Sequence, residues 1–164
     1  MTVRKVEIER FSVTSSKPFE AVVAAIEAAV GRPDMGEFMK AAGEAQNFAD
    51  LERTVHKSVG KTGLMMFMKL DPGAVLRLES GLNTPKVVRF LIGNPLTMKD
   101  MAKHVPDAGS YAPVTILVDE RTDGVHLSYD RMTSFLAPYG NPSALAVARE
   151  LDSKVERLLR ESAA

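Results

Sequence analysis

Residues 114–130 read VTILVDERTDGVHLSYD. The runs Val114–Val118 and Val125–Tyr129 are apolar and β-branched, and they flank Arg121-Thr122-Asp123-Gly124, whose Asp-Gly pair suits the tight turn of a hairpin. Two antiparallel strands are therefore expected here, and the neighbouring segments take their places around them. Upstream, Lys86–Ile92 (KVVRFLI) reads as a central strand halted by Gly93-Asn94-Pro95, with Asn as cap and Pro in the first turn of a helix running to about Val105. Residues 106–110 are expected to form a loop. Downstream, Gly140-Asn141-Pro142 repeats the start signal, and Leu145, Ala148, Leu151, Val155 and Leu158 follow at helical intervals, with Glu150 and Lys154 four apart.

Towards the N-terminus, Val6 and Ile8 alternate with Glu7 and Glu9, then the phase slips to Phe11 and Val13. This predicts a long first strand over residues 3–13 with a bulge near Arg10. Ser16-Lys17-Pro18 opens an amphipathic helix (Phe19, Val22, Val23, Ile26, Val30) that ends at Gly31-Arg32-Pro33. Residues 34–60 are helix-like but broken by Gly36 and Gly43, so short helices are expected. Residues 63–70 are almost wholly apolar and too short for a typical helix, which predicts a strand buried on both sides, closed by Asp71-Pro72-Gly73. Residues 74–79 fit a strand or a helical turn. No linker or repeat divides the chain, so one domain over 1–164 is expected, with a helical insertion at about 34–60. The element order predicts an α+β fold of two layers, helices packed on one face of a mostly antiparallel sheet.

Composition narrows the chemistry. With 45% apolar and 26% charged residues, 164 residues are enough to bury one core without staples. The 21 basic and 21 acidic side chains cancel, leaving no global positive field for a phosphate backbone, so nucleic acid is not an expected partner. The charged start of the chain lacks the apolar run of a signal peptide or membrane span, which makes a cytoplasmic location the expectation. The absence of cysteine removes thiolate nucleophiles, thiolate ligation and disulfide exchange.

No Gly-rich phosphate loop, Gly-x-Ser-x-Gly elbow or His-Glu-x-x-His is present. His56, His104 and His126 fall on different elements without ligand spacing, so no metal site is expected. Met65, Met66, Met68, Met98 and Met101 could offer thioethers to Cu(I) or haem if they converged, but filling gaps in an aromatic-poor core is the simpler role, and no cofactor is assigned. Tyr129-Asp130-Arg131 ends a strand where a carboxylate and a guanidinium could orient a small polar ligand or could simply pin a turn. The helix start after Gly93-Asn94 could hold an anion or serve as punctuation.

The segments Asp71-Pro72-Gly73-Ala74, Val88–Pro95, Met101–His104 through Tyr111-Ala112-Pro113, and Tyr129-Asp130-Arg131 together resemble the bacterial family known as domain of unknown function 302, over roughly residues 60 to 160. The resemblance implies a two-layer α+β fold, often dimeric, and assigns no activity. Relatives of this kind often carry histidine after the aspartate and proline after the arginine, where this chain has Pro72 and Met132. Any chemistry resting on that histidine would be lost here.

Three functions remain open. The first is a homodimeric binding protein that holds a small apolar or amphipathic ligand between the sheet and the helical segment Met35–Val59, with Met65, Phe67, Gly93, Asn94, Tyr129 and Arg131 as the contact residues. The second is an acid/base enzyme, hydrolytic or proton-transferring, using Asp71, His126 or Asp130, with Arg131 orienting an anionic substrate. The third is an interaction module that dimerises through an exposed sheet face or edge.

Overall fold

The computed structural model describes residue 1 and residues 3–164. Five strands, β1 (Arg10–Ser15), β2 (Met65–Leu70), β3 (Val87–Gly93), β4 (Val114–Arg121) and β5 (Gly124–Asp130), form one sheet in the order β1-β5-β4-β3-β2, every neighbouring pair antiparallel. The hairpin closes with Arg121 opposite Gly124, so Thr122-Asp123 is a two-residue loop. Among the described residues seven α-helices accompany the sheet: α1 (Phe19–Ala29), α2 (Met35–Glu44), α3 (Phe48–Ser58), α4 (Gly73–Ser80), α5 (Pro95–Ala102), α6 (Met132–Leu136) and α7 (Pro142–Ala163). The fold is α+β, as the element order predicts.

Strand alternation decides which face is covered. Val88, Phe90, Ile92, Val114, Ile116, Val118, Val125, Leu127 and Tyr129 point one way and are buried, beneath α1 (Val22, Ile26) and α7 (Ala148, Leu151, Val155, Leu158). The residues between them, among them Arg89, Thr115, Asp119, Ser128 and Asp130, point the other way, and none of this set is fully buried. Burying a large apolar side chain is worth about 1.5–3 kcal/mol, so the covered face carries the stability and leaves its reverse free to be polar.

Capping follows the sequence signals closely. Asn94 Oδ1 accepts from the Leu96 amide at 2.8 Å and Asn141 Oδ1 from Ala144 at 3.0 Å, each with proline in the first turn. Asp34 and Asn47 cap α2 and α3 in the same manner. The undecided residues 74–79 are helical, within α4, and the loop at Pro106–Ser110 is a 3-10 turn. The helix after Asn94 stops at Ala102, short of Val105, and α6 lies in a stretch where the sequence pattern predicted no element.

Two strands differ from expectation. β1 starts at Arg10, not Val3, and its pairing with β5 has no bulge. β5 ends at Asp130, so earlier residues have no strand beside them; instead the Arg131 amide donates to Glu9 O, the Glu9 amide donates to Ser134 Oγ, and the arm follows α6. The bulge lies in β2, between Met66 and Met68. β2 is an edge strand and not a doubly buried one: Met68 and Leu70 are exposed on the polar side of the sheet, opposite Leu91 and Arg89. Lys69, on the covered side, lays its stem towards the Phe90 ring and reaches Glu27 on α1 at 2.7 Å, sealing the core's open margin.

The α2–α3 pair leaves and re-enters the fold at one point. A Cβ on Gly31 would stand 1.8 Å from Ser58 O, and one on Gly60 would stand 2.5 Å from the Val30 carbonyl carbon. The two linkers therefore cross backbone to backbone, with the Gly31 and Gly60 amides both donating to Leu64 O at 2.9 Å. Between those ends the helices bury Phe38 and Val55 against Met65, with Met35, Leu51, Val59, Phe67 and Leu96 packed around them. Gly31→Ala should cost at least about 3 kcal/mol, because backbone rather than a movable side chain must yield; urea unfolding measures it, and a loss below about 1 kcal/mol would contradict the crossing.

Candidate functional site

The uncovered face of the sheet forms the floor of an open cleft of about 570 Å³. Leu91 and Leu117 supply its apolar patches, and Arg89, Thr115, Ser128 and Asp130 its polar ones. One end is walled by Tyr111 and by Phe135 of α6, whose rings stack at 4.7 Å between centroids. Tyr139 supports that wall: its hydroxyl donates to Asp107 Oδ2 at 2.5 Å, which raises its pKa, and its ring carries the Arg4 guanidinium at 4.3 Å.

The charges on this face nearly cancel. Arg10 grips Asp130 through two hydrogen bonds of 2.6 and 2.9 Å. Further along, Asp119 pairs with Arg121, and His126 with Asp123, which holds the Asp123 carboxyl below its ordinary value. Arg89 is the exception: its one polar partner among the described residues is the Thr115 hydroxyl, at 3.3 Å. A guanidinium without a carboxylate partner keeps its donors available to an anion.

Beyond Pro113 the cleft meets a second hollow of about 120 Å³, with Ala112, Pro113 and Val114 lining both. Phe67, Gly93, Met98, Met101 and Leu151 are among its walls, and no charged side chain lines it.

Of the residues singled out from the sequence, Phe67, Gly93 and Asn94 gather at this hollow, and Tyr129 and Asp130 border the larger cleft. Asn94 also ties its helix to the β2 side, its Nδ2 donating to Gly63 O at 2.9 Å. Met65 is wholly buried under α2 and α3. Arg131 points away from the cleft and bridges Glu9 at 2.8 Å and Glu156 at 2.6 Å. The five methionines do not gather: Met65 and Met66 sit in core packing, Met68 faces solvent, and Met98 and Met101 line the hollow. Among the described residues no group of three or more His, Asp or Glu could hold a metal ion.

The three acid/base candidates stay apart. His126 and Asp130 are four residues along one strand, about 13 Å, and Asp71 follows the far edge strand, three strand spacings or about 14 Å from β5. Asp71 accepts from the Ala74 amide at 3.0 Å and pairs with Arg77 at 2.7 Å, whose hydrogen bond lowers its pKa. Proton transfer requires hydrogen-bond reach, so these side chains form no shared site. Between α2–α3 and the sheet, Phe38, Val55 and Met65 are buried together, with Met35, Leu51, Val59, Phe67 and Leu96 packed around them.

Sequence reading passed over Arg89, Leu91 and Leu117, although alternation in β3 opposes Arg89 to Val88 and Phe90 and so marks it as outward. It also passed over Asp152, a buried residue whose Oδ1 accepts from the Tyr129 hydroxyl at 2.6 Å and the Met132 amide at 2.8 Å, while Oδ2 accepts from the Thr133 hydroxyl at 2.6 Å and amide at 3.2 Å. Burial, reinforced by the Asp152 charge, drives the Tyr129 pKa far above the phenol value. Nothing in local spacing announces this group, since its partners lie about twenty residues away. Asp152→Ala should destabilise by about 3 kcal/mol or more, because the phenol and two amides lose their acceptor; urea unfolding checks it, and a cost under about 1 kcal/mol would contradict the capping role.

The family model "Domain of unknown function DUF302" matches residues 40–162, reaching further towards the N-terminus than the motifs themselves and taking in all of α3. No curated protein matches the chain. The crystal structure of an uncharacterized conserved DUF302 protein from Bacillus stearothermophilus superposes with a TM-score of 0.65 at 13% identity, covering 93% of this chain and 97% of that one, and so shares the fold. With the family model spanning most of its length, the chain belongs to the DUF302 family.

Proposed function

We propose that this protein is a homodimeric binding protein for a small amphipathic ligand, held on the open face of the sheet. The observation that carries the reading is Arg89, an exposed guanidinium without a carboxylate partner, set beside Leu91 and Leu117 in a cleft of about 570 Å³. That volume lies in the range of small-molecule sites, and a floor of leucines and polar side chains with one unpaired charge suits a ligand that has both characters. Binding without catalysis fits the separation of Asp71, His126 and Asp130.

Anilinonaphthalene sulfonate, a small amphipathic anion with environment-sensitive fluorescence, serves as the first probe. The native protein should bind it, and Arg89→Glu should weaken binding at least tenfold, about 1.4 kcal/mol, without lowering the thermal midpoint. Equal binding by both proteins would remove Arg89, and the cleft with it, from the proposal.

The dimer rests on a separate observation. α4 buries only Gly73 and exposes Val75 (69%), Leu76 (43%) and Leu78 (85%), with Leu82 (62%) just beyond its end. Exposed apolar residues concentrated on one short helix mark a contact surface, and a two-fold pairing lets each copy cover the other's helix. In sedimentation velocity the wild type should run as a dimer and Leu78→Glu as a folded monomer. A wild-type monomer at micromolar concentration would exclude this contact.

A further inference from the structure

Resting on the cleft reading above, we infer that the ligand is a single-chain aliphatic carboxylate, its head on Arg89 and its tail passing Gly93 into the methionine-lined hollow. Arg89, Leu91 and Gly93 occupy alternate positions of β3 and so point to the same side of the sheet, from exposed Arg89 to buried Gly93 about 13 Å away. A chain laid along them starts at the guanidinium, crosses the Leu91 side chain and meets the sheet's end at Gly93.

Glycine at position 93 keeps side-chain bulk out of the boundary between Leu91 and the hollow. A Cβ there would lie 3.5 Å from Pro113 Cβ and 3.6 Å from Phe67 Cε2, in ordinary contact with both. A side chain longer than alanine's would therefore press on Pro113 and Phe67, and these same residues border the hollow beyond. The hollow, about 120 Å³ and without a charged wall, accepts an apolar terminus and rejects a second polar group. Met98 and Met101 give it an adaptable lining suited to a flexible chain.

Charge selects the head group. Of the cleft's two guanidinium groups, Arg10 is neutralised by Asp130, which leaves one net positive charge at Arg89. One planar guanidinium matches one carboxylate through two parallel hydrogen bonds, and a monoanion balances it where a dianion would not. The ligand is therefore charged at one end only, and the rest of it is hydrocarbon.

Isothermal titration with sodium butyrate, octanoate and decanoate, and with decanol, tests this. Affinity should rise about fourfold per added methylene, the equivalent of about 0.8 kcal/mol, until the hollow is full, and decanol should bind at least tenfold more weakly than decanoate. Gly93→Leu should flatten the dependence on chain length while leaving anilinonaphthalene sulfonate binding in place. Met98→Trp, which fills the hollow from α5, should do the same and serves if the glycine variant does not fold. Chain-length dependence that survives in a folded blocking variant, or decanoate no tighter than butyrate, would overturn the inference while leaving the cleft reading intact if the sulfonate still binds through Arg89. If neither the sulfonate nor any carboxylate binds, both fall.

Discussion

The carboxyl group of Asp152 on α7 collects four donors at the end of the sheet: the Tyr129 phenol from β5, the Met132 and Thr133 amides that open α6, and the Thr133 hydroxyl. A buried carboxyl is stable only when its oxygens are occupied, and here they cap a helix that has no capping side chain of its own. This fixes where α6 begins and therefore where Phe135 stands. Phe135 stacks on Tyr111, and the pair walls the open cleft. A residue that never reaches the cleft thus shapes one side of it.

The motifs that carry the family resemblance read as architecture when followed to their partners. Tyr129 meets Asp152, Asp130 meets Arg10, and Arg131 meets Glu9 and Glu156, so three consecutive residues fasten β5 to α7, β1 and the N-terminal arm. Adjacent residues can do this because strand alternation sends Tyr129 and Asp130 to opposite faces, and the chain turns at Arg131. Asp71 caps α4 and holds Arg77, while Asn94 caps α5 and reaches Gly63 O. These residues keep elements in register, and the proposed recognition group, Arg89, lies beside them on β3.

One-sided burial makes that chemistry available. α1 and α7 lie against the face carrying Phe90, Ile116 and Leu127, and the reverse face keeps Arg89 and two leucines in a cleft open to solvent. β2 adds Met68 and Leu70 to the same side, and its bulge at Phe67 turns that ring towards Gly93 and the hollow. A bulge commonly re-aims one side chain, and here it supplies one wall of the proposed tail site.

Local information in the sequence determined the hairpin, the two Asn-Pro helix starts, the amphipathic α1 and α7 and the α+β class, because each rests on contacts between residues a few positions apart. It also located Gly93, Asn94 and Phe67, through turn chemistry and an apolar run, without revealing that they border one hollow. Tertiary structure alone decided the rest. The apolar composition of β2 could not report that its strand lies at an edge, since edge and centre differ only in what pairs on the far side. The Gly31–Gly60 crossing and the Asp152 cap join residues about thirty and twenty positions apart, and the convergence of Arg89, Pro113 and Phe135 joins three separate elements. Such meetings are set by how layers pack and strands order, and periodicity along a chain carries no record of either.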